Sequence, residues 1–213
     1  MTILATRSRV PRRVLSSLAA CIATMQLAGC GGGGNSNPLD NPPVVNNPAG
    51  TSGQKLSFVY FQKCINPIFL AQLQVNIGGT ISTNTCASSG CHDDTSGTGG
   101  AFRVVQSAQQ VDLADPTSTP DAVRTTDMYK NFYSAQGSVV IGNAAQSRLL
   151  TKPLVRNVLH GGGLIFLDDN DPNARLIQYW ISRPVPAGAD EFSATAANMF
   201  TPADPNSGAC NTQ

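Results

Sequence analysis

The chain has 213 residues, 20 of them Gly and 14 Pro, with 13 % charged and 6 % aromatic side chains, a length suited to one domain with tails. Formal net charge is +1, but Arg7, Arg9, Arg12 and Arg13 crowd the start and every acid lies at or after Asp40. Without residues 1–29 the chain keeps 10 basic and 13 acidic side chains, net −3, which argues against nucleic acid or another polyanion as a partner.

Residues 1–29 combine a basic stretch ending at Arg13 with an apolar run from Val14 to Leu27. That run is shorter than the roughly 20 apolar residues of a membrane span. It has the charged, apolar, small-residue order of a secretory signal. Leu27-Ala28-Gly29-Cys30 resembles a bacterial lipobox, and the resemblance implies cleavage before Cys30 and a diacylglyceryl group on its sulfur. Residues 30–54 are rich in Gly, Asn and Pro with few apolar anchors, so they are expected to form a lipidated flexible linker. Gly31 follows Cys30, not the Asp that resembles the inner-membrane retention signal of such lipoproteins. Attachment to the outer membrane of a Gram-negative envelope, facing periplasm or cell surface, is therefore expected over the inner membrane.

Residues 55–213 remain, enough for one core. Phe58, Phe61, Ile65, Phe69 and Leu73 recur at helical intervals, predicting a helix from Phe58 to Leu73 with a kink or break at Pro67. Further helices are expected over Thr126–Ala135 and Ala145–Val155. Asp171 suits an N-cap and Pro172 a first helical position, opening a helix whose Leu176, Ile177, Trp180 and Ile181 share a face. Pro184 and Pro186 end it. Period-2 alternation is confined to hints near Ala101–Val105 and Val139–Ile141. The expected fold class is mainly α with long loops.

Six cysteines are present. Cys21 leaves with the signal and Cys30 carries lipid, so Cys64, Cys86, Cys91 and Cys210 stay in a domain bound for an oxidising compartment. Cys86-Ala-Ser-Ser-Gly-Cys91-His92 is a C-x4-C-H string. If its two cysteines work together, Cys64 and Cys210 are left to form a disulfide. Covalent haem attachment needs two thiols that reach two vinyl groups and a histidine beside the second thiol, usually as C-x-x-C-H. Here the insertion is small and flexible, and the Cys91-His92 adjacency is intact. Three other uses compete. The pair could form a local disulfide. It could contribute to a zinc site, although His92 and His160 are the only histidines and adjacent Cys91 and His92 suit one tetrahedral ion poorly. A redox dithiol would call for C-x-x-C at a helix start.

The string is followed by Ser147-Arg148-Leu149-Leu150-Thr151-Lys152-Pro153-Leu154, by His160-Gly161-Gly162-Gly163 and by a stretch ending Tyr179-Trp180-Ile181. This order, from about Phe58 to Ile181, resembles the cytochrome c-like domains of exported bacterial proteins and the C-x4-C-H variant of some c-type cytochromes. The resemblance implies a cytochrome c-like helical domain with one covalent haem c on Cys86 and Cys91 and His92 as proximal iron ligand. In that family a Met often stands six residues after the histidine of the Gly-rich turn; here that position is Phe166. His160 is the first choice for the distal ligand. Met128 and Met199 are alternatives, each also suited to core packing, and a five-coordinate iron beneath Phe166 is the remaining option. His160 could equally be a turn histidine bonded to backbone. Asp168, Asp169 and Asp171 cluster without calcium-loop spacing and read as a solvated turn.

The expectation is a monomeric, lipid-anchored, monohaem c-type cytochrome that transfers single electrons to and from a redox partner protein in the cell envelope. No enzymatic role of its own is expected, since no hydrolase or zinc-protease motif is present. One alternative is a non-redox envelope lipoprotein with Cys86–Cys91 and Cys64–Cys210 disulfides that binds a partner. Another is a haem sensor with an open sixth site.

Overall fold

In a computed structural model of the chain, residues 54–213 are described. The expected signal, the expected lipidation site Cys30 and all but the end of the expected linker lie outside the described residues. The helical run that opens the domain comes in three parts: α1 (Phe58–Tyr60), a π-helical stretch (Phe61–Ile65) and α2 (Asn66–Leu70). Ser57 caps it, its Oγ accepting from the Tyr60 amide at 3.1 Å. Pro67 has no N–H to give, and the turn before it widens so that the Asn66 amide reaches the Phe61 carbonyl. The helix ends at Leu70, and Leu73 instead begins β1 (Leu73–Ile77).

Strand β1 pairs antiparallel with β2 (Thr80–Asn84), Val75 opposite Ser82, across the two-residue Gly78-Gly79 turn. After an irregular stretch come α3 (Pro120–Arg124) and α4 (Asp127–Gln136), the second capped by Thr126 and burying Met128, Asn131, Phe132 and Ala135. The short α5 (Arg148–Thr151) precedes α6 (Pro172–Ser182). There Asp171 accepts from the Asn173 and Ala174 amides, and Ala174, Ile177, Trp180 and Ile181 turn inward. A 3-10 turn (Ala194–Met199) leads into β3 (Phe200–Thr201), which pairs with β4 (Ala209–Cys210).

The expectation of a mainly α, cytochrome c-like helical domain is not met. Helix makes up 32 % and strand 12 % of the structure, with short helices and two small sheets. The predicted Ala145–Val155 helix is a 3-10 turn (Ala144–Gln146) followed by the four residues of α5. Of the strand hints, Val104 and Val140 make only isolated bridges. The Gly-Gly hairpin supplies most of the strand residues, and long irregular segments joining the helices are held by side chains rather than by ladders.

Phe58, Phe61, Phe132 and Trp180 form the centre of the core, with ring centroids 5.4–6.2 Å apart and mostly tilted or edge-on. The Trp180 indole N–H is satisfied by the Ser57 carbonyl at 2.9 Å. Fully buried Glu191 accepts from Lys55 at 2.6 Å, from Arg124 through two nitrogens at 3.1 Å and from the Tyr129 hydroxyl at 2.9 Å. These bonds tie the start of the domain, α3, α4 and the C-terminal segment to one carboxylate. A disulfide joins Cys64 in the π-helical stretch to Cys210 in β4. Beside it, Lys63 donates to the carbonyls of Pro205, Asn206 and Gly208.

Candidate functional site

Strand β2 runs directly into the C-x4-C-H segment. The Ala87 amide donates to the Phe69 carbonyl at the end of α2, at 3.1 Å, so the loop starts from a buried anchor. The Cys91 and Asp93 amides both turn back to Ser88 O, and the His92 amide donates to Cys86 O at 2.8 Å. These bonds draw the chain at His92 back to the first cysteine, while Ser89 and Gly90 form an exposed tip. Cys86 and Cys91 are free and partly buried. Burial, and then the neighbouring Cys91, push the Cys86 thiol up to about 12, so it stays protonated at neutral pH. A protonated thiol is a slow nucleophile in disulfide exchange.

His92 is held on three sides. Its Nδ1 lies 3.0 Å from the Phe102 carbonyl, its ring packs on Phe102 with centroids 4.7 Å apart, and its own carbonyl accepts from the Val104 amide at 2.7 Å. Gly99 closes the third side: a Cβ there would lie 2.5 Å from two atoms of the imidazole. Asp93 fixes the turn that brings Gly99 in, Oδ1 accepting from the amides and hydroxyls of Thr95 and Ser96. Bonds chiefly from Ser96 hold its carboxyl down at about 2. Behind this segment, fully buried Asn131 of α4 bonds the Val105 amide and carbonyl as well as Asn66, and Ser134 accepts from the Arg103 amide. The core therefore supports the strip carrying Phe102.

His160 is positioned from the other side of the hairpin. Asn76 of β1 exchanges two 2.9 Å backbone bonds with Leu164. Gly163, at φ +72°, approaches so closely that a Cβ would lie 2.3 Å from the Asn76 carbonyl oxygen. The Gly163 carbonyl lies 2.8 Å from His160 Nδ1.

The two imidazoles thus come together, with centroids 6.4 Å apart and planes within 14° of parallel. A carbonyl can only accept, so each Nδ1 carries the proton and each Nε2 keeps its lone pair, the arrangement of a metal-binding histidine with its outer bond in place. Burial pushes both rings below their ordinary pKa despite the carbonyl bonds, and nearby Lys152 adds to the effect. Burial therefore favours the neutral form of both imidazoles.

What metal such a pair suits follows from counting donors. Zinc asks for about four protein or water donors and calcium for about six to eight. Among the described residues no group of three or more His, Cys, Asp or Glu is placed to hold an ion. Two imidazoles alone suit a metal that brings its equatorial donors with it, as a porphyrin iron does. A second sign comes from polar satisfaction. Among the described residues, the buried side-chain polar atoms without a partner are Ser88 Oγ, between the two cysteines, and Arg103 Nη1, beside Phe102. Native proteins leave few such atoms without a reason, and both belong to the segments around His92. The donor set fits a haem.

The remaining candidates lie elsewhere or serve the fold. Met128 packs inside α4 and Met199 near β3, both buried, as is Phe166. Asp168 closes a turn, Asp169 pairs with Arg156 and Asp171 caps α6, so the three carboxylates do not converge. Sequence reading passed over Asn76, Gly99, Phe102 and Arg103. Only the glycine-rich Gly97–Gly100 stretch offered a signal. In comparisons with protein families, curated proteins and solved structures, nothing matches the chain.

Proposed function

We propose that the chain is a lipid-anchored c-type haem protein that passes single electrons between redox partner proteins of the cell envelope, with no catalytic reaction of its own. The reading is carried by one observation, the His92–His160 pair at 6.4 Å with both Nδ1 atoms committed to carbonyls. It does not rest on the fold. In this proposal Cys86 and Cys91 hold the porphyrin through thioether bonds, His92 is the proximal iron ligand and His160 the distal one. The bound haem supplies a one-electron iron couple.

The chain's own residues account for the rest. The Phe102 and Gly163 carbonyls fix the tautomer of each imidazole and strengthen its lone pair. Gly99 and the Asp93 turn lock the His92 ring, and α4 supports the strip behind it. Phe69 and Phe102, with centroids 5.0 Å apart, carry the apolar core up to His92 and shield that side from water. Electron carriers benefit from such a fixed frame because little has to reorganise when the charge changes.

The test is ligand binding by the haem-loaded domain, exported with c-type maturation factors. The wild-type protein is expected to be low-spin in both oxidation states and, when reduced, inert to carbon monoxide. His160→Ala is expected to open the sixth site and bind carbon monoxide at once. A wild-type protein that takes up carbon monoxide as readily as His160→Ala would remove His160 from the iron and favour a sensor. A folded protein that acquires no haem would refute the reading altogether.

A further inference from the structure

The outer edge of the hairpin is open. Asn76 of β1 turns its N–H and C=O away from β2 and toward Leu164, with two bonds of 2.9 Å. In an antiparallel ladder the residue opposite such a position turns its own N–H and C=O outward as well. That residue is Ile81, and Thr83, two positions on, does the same. The register runs unbroken from Leu73↔Asn84 to Ile77↔Thr80, with no bulge. Among the described residues no strand or bridge meets the far side of β2. All of β2 is exposed, Ile81 by 66 %. Proteins usually guard such an edge with charge, proline or a bulge. Here nothing guards it: residues 64–92 contain no Asp, Glu, Lys or Arg, and β2 reads Thr-Ile-Ser-Thr-Asn.

We infer that β2 pairs antiparallel with β2 of a second copy of the chain, across a twofold axis at Ser82. The edge calls for an extended strand that exchanges main-chain bonds at alternate residues. About an axis at Ser82, Ile81 of each copy stands opposite Thr83 of the other, so all four outward N–H groups and carbonyls of Ile81 and Thr83 on each edge are used, and the interface is the same patch on both copies. Moving the axis to Thr83 would set Ile81 against Thr85, whose amide already donates to Asn84 Oδ1 at 2.9 Å. Moving it to Ile81 would set Thr83 against Gly79 of the turn. Charge favours the same occupant: two neutral edges meet without repulsion, whereas a charged strand would find no counter-charge on β2. The chain's own linker is a poor strand for this edge, since residues 30–54 carry Gly31 to Gly34 and Pro38, Pro42, Pro43 and Pro48. The contact is small, which makes the pair weak and dependent on concentration. It departs from the monomer expected from sequence and is independent of the haem reading.

Sedimentation equilibrium over a wide range of concentration tests this, using the full exported chain with Cys30→Ser so that no lipid draws copies together. With β2 intact, the chain is expected to pass from monomer to dimer as concentration rises. Ser82 is exposed, so Ser82→Lys and Ser82→Glu are expected to fold normally. Each alone places like charges directly opposite one another and is expected to weaken the dimer about fivefold. An equimolar mixture of the two is expected to recover it, which a merely structural role for Ser82 would not produce. Thr83→Pro takes an outward N–H from the edge and no bond from the hairpin, and it is expected to abolish the dimer. A chain that stays monomeric throughout overturns the proposal and leaves the edge to an extended segment of another protein. Dimers indifferent to Thr83→Pro and to charge at Ser82 use another surface and overturn it too. Charge variants that weaken the dimer without recovery in the mixture refute the axis at Ser82.

Discussion

The three glycines after His160 look interchangeable in the sequence and are not so in the structure, which makes Gly163→Ala and Gly161→Ala an informative pair. Gly163 sits at φ +72°, where an L-residue pays about 1 kcal/mol. A Cβ would also lie 2.3 Å from Asn76 O and 2.9 Å from its carbonyl carbon, backbone atoms that no rotamer change can move aside. Relief requires parting Asn76 from Leu164, which breaks two 2.9 Å bonds worth about 1 kcal/mol each. The expected loss for Gly163→Ala is therefore about 3 kcal/mol. A Cβ on Gly161 meets nothing within 4 Å and the backbone there is not left-handed, so Gly161→Ala should be neutral or gain a few tenths of a kcal/mol from the stiffer unfolded chain. Urea unfolding of both variants measures the difference as a change in midpoint at constant slope. A gap below about 0.5 kcal/mol between them would refute the claim that the His160 turn is fastened at Gly163.

Two further outcomes concern the frame. Burial alone would raise the Glu191 carboxyl, but Lys55, its own backbone amide, Tyr129 and Arg124 bring it from the ordinary 4.5 down to about 2. A carboxylate lowered in the folded state stabilises above its unfolded pKa and loses that contribution as pH falls through the folded value. Between about pH 5 and pH 2 the domain should lose about 2–3 kcal/mol on this account, allowing for screening at the partly exposed Lys55 and Arg124. Glu191→Gln should flatten that part of the stability–pH curve, and an unchanged slope would contradict it. The Cys64–Cys210 bridge spans 146 positions, and the chain-entropy model gives such a loop about 5 kcal/mol. A Cys64→Ser, Cys210→Ser double variant is expected to unfold at much lower urea, and a loss under about 1 kcal/mol would mean that the C-terminal segment is held chiefly by Glu191 and Lys63.

The parts of the fold legible in the sequence are those with both a cap and a stripe. Thr126 and Asp171 mark the starts of α4 and α6, and the buried residues recur at helical intervals behind them. The hairpin was not legible in the same way. Every residue of β2 is exposed, so no apolar alternation marks it, and Leu73 matches the helical spacing of the residues before it although it lies in β1. Only Gly78-Gly79 between β-branched residues signals the turn. The site divides along a similar line. In the proposed site Cys86, Cys91, His92 and His160 would act through side chains that only their residue types supply, so a scan for chemistry finds them. Phe102, Gly163 and Asn76 act largely through backbone carbonyls and amides, which any residue carries. Such roles exist only after folding has placed the strands and loops.

The central claim is that His92 and His160 flank a porphyrin held by Cys86 and Cys91. Intact-mass measurement and acid–acetone extraction of the domain, exported together with c-type haem maturation factors, test it most directly. The expected result is a single species heavier than the polypeptide by one haem, its colour staying with the denatured protein, and lost when both Cys86 and Cys91 are replaced by serine. A colourless, folded protein at the bare polypeptide mass would contradict the account and leave the histidine pair without a metal that suits it.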